Sequence, residues 1–318
     1  MGDLSQQTEA HDPVFVCGAL RSGTTLLRLM IDAHPALSNP GEMDFLFEPP
    51  ADGDGQVDMA LYAHELTFNR VFKSCGLKMI DGLTHREQVR EFAEQLNVPG
   101  RLLTINIHRH FDRVPAIFGG ARFIHLLRDP RDVASSSIGM GWAGNVYHGV
   151  DHWIESEKSF DALAAKTPSE RIFTLKNEDL IRSPETSLSR LCEFLGVAFD
   201  PAMLSYPAYT SYKSPNPKLV EQWRSNLSER DIALIEGKVG SLLADRGYAP
   251  SGLAPIAPNS AARFRLRQMN RFGRFKFSIK RNGVWLALAS VLSRRLPFKT
   301  FRDRVRREIT AREAEFLK

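Results

Sequence analysis

The chain has 318 residues, 43% of them hydrophobic and 25% charged, a balance that excludes a disordered or fibrous polypeptide and leaves room for one large domain or two small ones. Three widely spaced cysteines, Cys17, Cys75 and Cys192, exclude a disulfide framework or a cysteine metal cluster, and no apolar run approaches the ~20 residues that cross a bilayer. The net charge of +5 hides an asymmetry: residues 261–318 carry 17 Lys and Arg against 4 Asp and Glu, a net +13, so the first 260 residues carry −8.

Residues 1–12, MGDLSQQTEAHD, are polar, lack a signal-peptide core and read as a flexible N-terminus. With the cysteine usage this predicts a cytoplasmic protein. Val14–Cys17 is a short apolar run and predicts a strand. The loop GALRSGTT, Gly18 to Thr25, follows it and opens an apolar-periodic helix over Thr24–Ala33, which ends before Pro35. A strand, a tight loop and a helix N-terminus aim backbone N–H groups and a positive helix end at one point, which suits an anion. Against the nucleotide pattern G-x-x-x-x-G-K-[ST], Gly18, Gly23 and Thr25 fit, but Thr24 stands where the lysine belongs. The nearest cation is Arg21, a planar fork that holds its charge. The displaced charge points away from ordinary ATP or GTP hydrolysis.

Farther on, Glu42 lies in Asn39-Pro40-Gly41-Glu42, with Asp44 and Glu48 nearby, and residues 49–56 read as an exposed loop. Helices are predicted over Gln88–Leu96, Pro130–Ser137, Glu185–Leu195 and Glu229–Asp245, and strands over Phe123–Leu127 and Ile172–Leu175. A histidine cluster, His108-Arg109-His110, precedes the Phe123 strand by a short helical stretch. The segment RFIHLLRDPRDVASSS puts Arg128 at a strand end and Ser136 about two turns into the next helix, a placement that fits a second phosphate at the open end of a sheet. Asp129 or Asp132 capping that helix, with the arginines solvated, is the competing explanation. The glycine- and aromatic-rich stretch 139–153 reads as an acceptor pocket lined by Trp142, Tyr147 and Trp153, or as plain core packing. Alternating strands and helices predict an α/β fold with a central parallel sheet flanked by helices over residues 13–250. Residues 251–260 form a linker, and residues 261–318 a basic, helical, amphipathic tail. Three readings of the tail compete: docking on an anionic membrane surface, nucleic-acid binding, for which no reading module is visible, and packing on the acidic body of its own or a partner subunit, as in a homodimer.

Together, Leu20-Arg21-Ser22-Gly23-Thr24-Thr25 and Arg128 to Ser136 resemble the two phosphate motifs of the sulfotransferases that use 3′-phosphoadenosine 5′-phosphosulfate (PAPS), nearest to the tyrosylprotein and bacterial branch. The stretch Asn177-Glu178-Asp179-Leu180 and the residues after it look like the family's third segment, so the resemblance covers residues 13–250. It implies a P-loop-type fold and transfer of a sulfuryl group from PAPS to a hydroxyl of a glycan, lipid, small molecule or tyrosyl residue. Arg21, Ser22, Gly23, Thr24 and Thr25 would then hold the 5′ end and Arg128 and Ser136 the 3′-phosphate. Asn177, where relatives usually have tyrosine, would touch the adenine side, and Lys213, like Lys218, is placed to reach a phosphate. Glu42 matches the general-base glutamate of the tyrosylprotein branch, whereas cytosolic members use a histidine, which makes His108 a rival base. Relatives carry a lysine against the moving sulfuryl group; here His108 or Arg109 would stand in for it. The singly charged sulfuryl group demands no metal. The rival classes are a P-loop small-molecule kinase, which predicts a lysine and a magnesium site, and a non-catalytic nucleotide-binding module with a membrane-binding tail.

Overall fold

The structure, a computed structural model, describes residues 12–50, 56–208, 210–296 and 298–316. The predicted N-terminal segment before Asp12, and residues 51–55 of the predicted loop, lie outside these.

Val14–Cys17 forms strand β1 and has no solvent exposure at any residue. Such a strand needs cover on both faces, which only the middle of a helix-flanked parallel sheet provides. Strands β2 (Leu37–Ser38), β3 (Leu102–Ile107), β4 (Arg122–Leu127) and β5 (Ile172–Lys176) complete that sheet, parallel throughout, in the order β2-β3-β1-β4-β5. Alternation along β1 sends Phe15 and Cys17 into an aromatic layer with Phe45, Phe47, Phe92, Phe111 and Phe123, and Val14 and Val16 into an aliphatic layer with Leu27, Met30, Leu188 and Leu191.

Helices α1 (Thr24–Asp32), α2 (Met59–Leu66), α3 (Arg70–Ser74) and α4 (His85–Leu96) precede β3, and α5 (Val114–Ile117) joins β3 to β4. Between β4 and β5 come α6 (Pro130–Gly139), α7 (Val146–Gly149) and α8 (Asp151–Ala164). After β5 follow α9 (Asn177–Arg182), α10 (Pro184–Leu195), α11 (Trp223–Asn226), α12 (Glu229–Val239) and α13 (Leu242–Asp245), then the tail helices α14 (Ser260–Asn282), α15 (Val284–Ser293) and α16 (Lys299–Phe316). The α/β architecture with a central parallel sheet is therefore as the sequence predicts.

Two local expectations differ. The helix expected over Glu229–Asp245 is broken at Gly240, which has φ of +64° and ends α12; that left-handed geometry favours glycine. Strands β2 and β3 carry no strand pattern in the sequence. Within β3, Thr104 and Asn106 are buried where an apolar residue is expected, and Asn39 satisfies both, its Nδ2 donating to Thr104 Oγ1 at 2.8 Å and Asn106 Oδ1 at 2.9 Å.

Segment 250–260 runs against α12. Ile256 N donates to Ala233 O at 2.9 Å, and Ser251 Oγ donates to Glu236 Oε2 at 2.9 Å. The tail reaches the body at both ends. Gly144 N donates to Asn270 Oδ1 of α14 at 2.7 Å, and on α16 Arg306 pairs with Glu65 at 2.6 Å and Asp303 with His64 at 3.4 Å.

Candidate functional site

The C-terminal end of β1 lies between β3 and β4, where the chain changes its direction of travel across the sheet. Open α/β sheets bind ligands at such a switch point, and the Gly18–Thr25 loop occupies it. A Cβ on Gly18 would stand 2.8 Å from Leu126 O, and one on Gly23 would collide with Asn177 Oδ1. Both glycines are thus required by close approach, and φ of +93° at Gly23 adds a second reason. Gly23 is the N-cap of α1 and brings no side chain to its first turn, so the orphan N–H groups there face the cleft without a capping partner. Ser22 Oγ and Asn177 Oδ1 are buried beside this loop with no protein hydrogen-bond partner. Unsatisfied polar atoms in that position suit a polar ligand.

Arg21 takes a left-handed backbone conformation, φ +74°. Its Nε donates to Ser136 Oγ of α6 at 2.9 Å, and Arg128 Nη1 donates to Arg21 O at 2.9 Å. The fold therefore joins the two motifs, 107 residues apart in sequence between Arg21 and Arg128, into one basic group. Burial, then the neighbouring charge of Arg128, lowers the proton affinity of Arg21; an anion placed between two like charges relieves this repulsion. The second arginine of the RDPRD run does something else. Arg131 is buried, pairs with Asp129 and Glu236 at 2.7 Å each and lies 3.7 Å over the Trp223 ring. Asp129 also accepts from Arg131 N at 2.9 Å and caps α6. The capping explanation thus holds for Asp129, while Arg131 is a packing residue and neither solvated nor in the cleft.

Glu42 and His108 meet on the other side of the loop. Glu42 pairs with Asn106 in a single bridge beyond the end of β2, and Met43 N donates to Asn106 O at 2.8 Å. His108, just past β3, has 2% side-chain exposure and sits between two acids and the loop. Its Nδ1 lies 2.8 Å from Asp44 Oδ2, its backbone N donates to Asp44 Oδ1 at 2.7 Å, and its Nε2 is 3.2 Å from Thr24 Oγ1 and 3.9 Å from Glu42 Oε1. Burial works against a charged imidazole, but the Asp44 carboxylate and its hydrogen bond outweigh it and raise His108 above the usual histidine pKa. Burial likewise opposes the charge of Asp44, and His108 overcomes it, holding the carboxyl below the usual range. Each group thus favours the charged form of the other, as in an imidazolium–carboxylate pair. Arg109 turns away to pair with Glu48, so of the two candidates for the missing lysine's position only His108 faces the loop.

These groups border a cleft of about 720 Å³. Among the described residues its wall holds five Arg and Lys side chains, Arg21, Arg28, Arg70, Arg128 and Lys213, and one carboxylate, Glu42. Gly23, Thr24, Thr25 and Asn177 also line it; Ser22, Ser136 and Lys218 do not, Ser136 meeting the cleft only through its bond to Arg21. Of the three aromatic residues proposed for an acceptor pocket, Trp142 lines the cleft, with the Arg21 guanidinium 6.0 Å from its ring centre. Trp153 is a core residue whose Nε1 donates to Arg128 O at 2.9 Å, and Tyr147 is covered by Lys238. Glu178 is buried and accepts from Asp129 N at 2.9 Å and Tyr248 Oη at 3.1 Å, which ties the third segment to the Arg128 turn.

Asp44, Asn39 and Arg28 escaped the sequence reading as site residues. Asp44 looked like one of several loop acids, and only the pairing of β3 with the 41–43 strip brings it against His108. A signal for Asn39 existed in the polar residues Thr104 and Asn106 of an otherwise apolar run.

Residues 13–201 match the sulfotransferase family. A 138-residue stretch is 28% identical to omega-hydroxy-beta-dihydromenaquinone-9 sulfotransferase of Mycobacterium tuberculosis (strain CDC 1551 / Oshkosh), covering 38% of this chain and 36% of that protein. The chain thus spans about a third of the length of the curated relatives it matches. The sulfotransferase domain of the Synechococcus PCC 7002 olefin synthase superposes with a TM-score of 0.53 at 24% identity, over 73% of this chain and 96% of that one. The sulfotransferase domain of the curacin biosynthetic pathway gives 0.53 at 20% identity, over 75% and 98%. At these identities the likeness shows a shared fold.

Proposed function

This chain belongs to the sulfotransferase family, and we propose that it transfers a sulfuryl group from PAPS to a hydroxyl-bearing acceptor. The observation that carries the proposal is the joined basic group of Arg21, Arg128 and Ser136 beside an uncapped helix N-terminus, with one carboxylate facing it across the cleft. A 3′-phosphorylated, 5′-phosphosulfated adenosine offers anions at two ends, and these residues supply two anion sites on one wall. The backbone N–H groups of the loop with Thr24 and Thr25 hold the 5′-phosphate, Arg128 and Ser136 the 3′-phosphate, and Asn177 meets the nucleoside. The partnerless Oδ1 of Asn177, a residue of the cleft wall, supports this fit.

Glu42 acts as the base. Its side chain is 39% exposed and lines the cleft, whereas His108 is enclosed, so an incoming hydroxyl meets the carboxylate first. His108, whose charged form Asp44 favours, takes the part that the resemblance gives to a lysine, and Arg21 is the second cation. The acceptor oxygen bonds to sulfur as the sulfur–oxygen bond to the 5′-phosphate breaks. The electron pair departs on adenosine 3′,5′-bisphosphate and the proton passes to Glu42. Charge developing on the bridging oxygen is met by donors already in place, which is where such sites gain most of their rate.

The test is transfer of label from ³⁵S-PAPS into a cell extract, followed by identification of the product. Glu42→Gln is expected to remove most turnover while leaving nucleotide-induced stabilisation intact. Near-normal turnover in that variant moves the base role to His108, and no transfer by the unaltered protein to any acceptor pool rejects the activity.

A further inference from the structure

The two ends of the tail pack on the body, but its middle helix does not turn all its apolar residues inward. Leu286, Ala287, Ser290 and Ser293 of α15 are buried, in the hairpin that α15 makes with α14 and α16. The opposite face carries Val284 (54% exposed), Trp285 (86%), Leu288 (40%), Val291 (37%) and Leu292 (50%), continued by Leu296 and Phe298 beyond the helix. Spacings of three and four residues make this one stripe. The large apolar residues of this face are therefore in water, including an indole with almost nothing on it, and protein surfaces seldom leave so large a patch uncovered.

We propose that this stripe is a docking surface for a phospholipid bilayer bearing anionic headgroups. Charge complementarity selects that occupant. Arg294, Arg295 and Lys299 close the stripe on one side, Lys280 precedes it on the other, and exposed Arg263, Arg265, Arg267, Arg271 and Arg274 continue along α14 among the exposed Phe264, Met269 and Phe272. A second copy presents the same net +13 over residues 261–318, so stripe-to-stripe association brings two strongly basic surfaces together. A membrane interface meets both halves of the pattern, taking the apolar stripe below the headgroups and the Arg and Lys side chains at their level. The ten residues of α15 extend about 15 Å, half the thickness of a bilayer core; the helix lies in the interface and does not span it. Tryptophan at the edge of the stripe suits the depth where an indole is half wet.

A second contact links this surface to the cleft. Gly144 stands against Gly273 of α14, a Cβ on Gly141 would collide with Phe277, and Asn145 Nδ2 donates to Leu266 O at 2.7 Å. The 141–145 turn that α14 grips carries Trp142, which lines the cleft. Docking of the tail thus bears on the wall of the site.

The experiment uses the full chain with vesicles of phosphatidylcholine alone or mixed equally with phosphatidylglycerol, some carrying brominated acyl chains. Co-sedimentation with the anionic vesicles is expected, weakening as salt is raised, together with quenching of tryptophan emission that disappears in Trp285→Phe. Leu288→Glu with Leu292→Glu should weaken vesicle binding by about tenfold or more, with the thermal stabilisation by adenosine 3′,5′-bisphosphate unchanged. If that pair of substitutions unfolds the protein, the quenching of the unaltered chain and its loss in Trp285→Phe still decide. Equal pelleting with neutral and anionic vesicles, no quenching, or a concentration-dependent dimer dispersed by Leu292→Glu would overturn the proposal, the last in favour of a second copy. None of these readouts depends on sulfuryl transfer, so the membrane surface can fail while the activity stands.

Discussion

Replacing Asp44 with asparagine isolates the charge of the acid that holds His108. Asparagine keeps the volume and an oxygen that can still accept from His108 N, now 2.7 Å away. What goes is the carboxylate opposite a 2%-exposed imidazole. A hydrogen bond involving a charged group contributes about 1.5–3 kcal/mol net, so the variant should lose about 2 kcal/mol of stability near pH 6, a fall in Tm of roughly 3–4 °C for a chain of this length. The pH dependence follows from the directions of the shifts. His108 is raised on folding, so its contribution is fully present below the unfolded histidine value and fades as pH rises through the folded one. Asp44 is lowered, so its contribution is present above the unfolded aspartate value and fades as pH falls through the folded one. The pair therefore stabilises most between those limits, and the variant's deficit should shrink at both ends. In the variant, burial and Arg109 oppose the charged ring with only Glu42 left to favour it, and His108 should titrate lower than in the unaltered protein. Imidazole NMR across pH 4–9 reads this directly, and calorimetry over the same range reads the stability. If the His108 resonance titrates at the same pH in both proteins, the imidazolium–carboxylate reading is refuted.

Arg21→Ala removes a preorganised cation from the bond that breaks and should lower kcat by about 10²–10³ with a smaller effect on KM, measured by initial rates of labelled-sulfuryl transfer. Gly23→Ala forces a Cβ against Asn177 Oδ1 in a left-handed conformation; at roughly 1–2 kcal/mol for the backbone alone, with the collision in addition, thermal denaturation should show a less stable protein that has lost nucleotide-induced stabilisation. If alanine there preserves both, the close approach of loop and α9 is not what fixes the glycine.

The strand–loop–helix at the head of the chain was legible because its signals agree: an apolar run, two glycines and a helical period following without a gap. The Arg128 turn was legible for the same reason, its strand ending in a polar run that Asp129 and Pro130 convert into a helix start. Strand β3 was not, because central strands of parallel sheets read as continuous apolar runs, and this one spends Thr104 and Asn106 on a hydrogen-bonded strut to Asn39. With β3 hidden, the site's second half had no geometry: Glu42 and His108 appeared as rivals for one task, and Asp44 as a solvated acid. Pairing of β3 with the 41–43 strip places all three together and separates their charges. Arg131 was not legible either: the competing explanation left it solvated, whereas its side chain closes a buried network with Asp129 and Glu236.

Recognition by the cleft of a nucleotide phosphorylated at both the 5′ and 3′ positions can be measured by calorimetric titration without knowledge of the acceptor. Adenosine 3′,5′-bisphosphate should bind more tightly than adenosine 5′-monophosphate by about 2–3 kcal/mol, the contribution of a charge-assisted contact to the second phosphate, and Arg128→Ala should bring the two ligands to similar affinity. Equal affinity of the unaltered protein for both, or binding of ATP with magnesium in preference to either, would rule out a site for a 3′,5′-phosphorylated nucleotide.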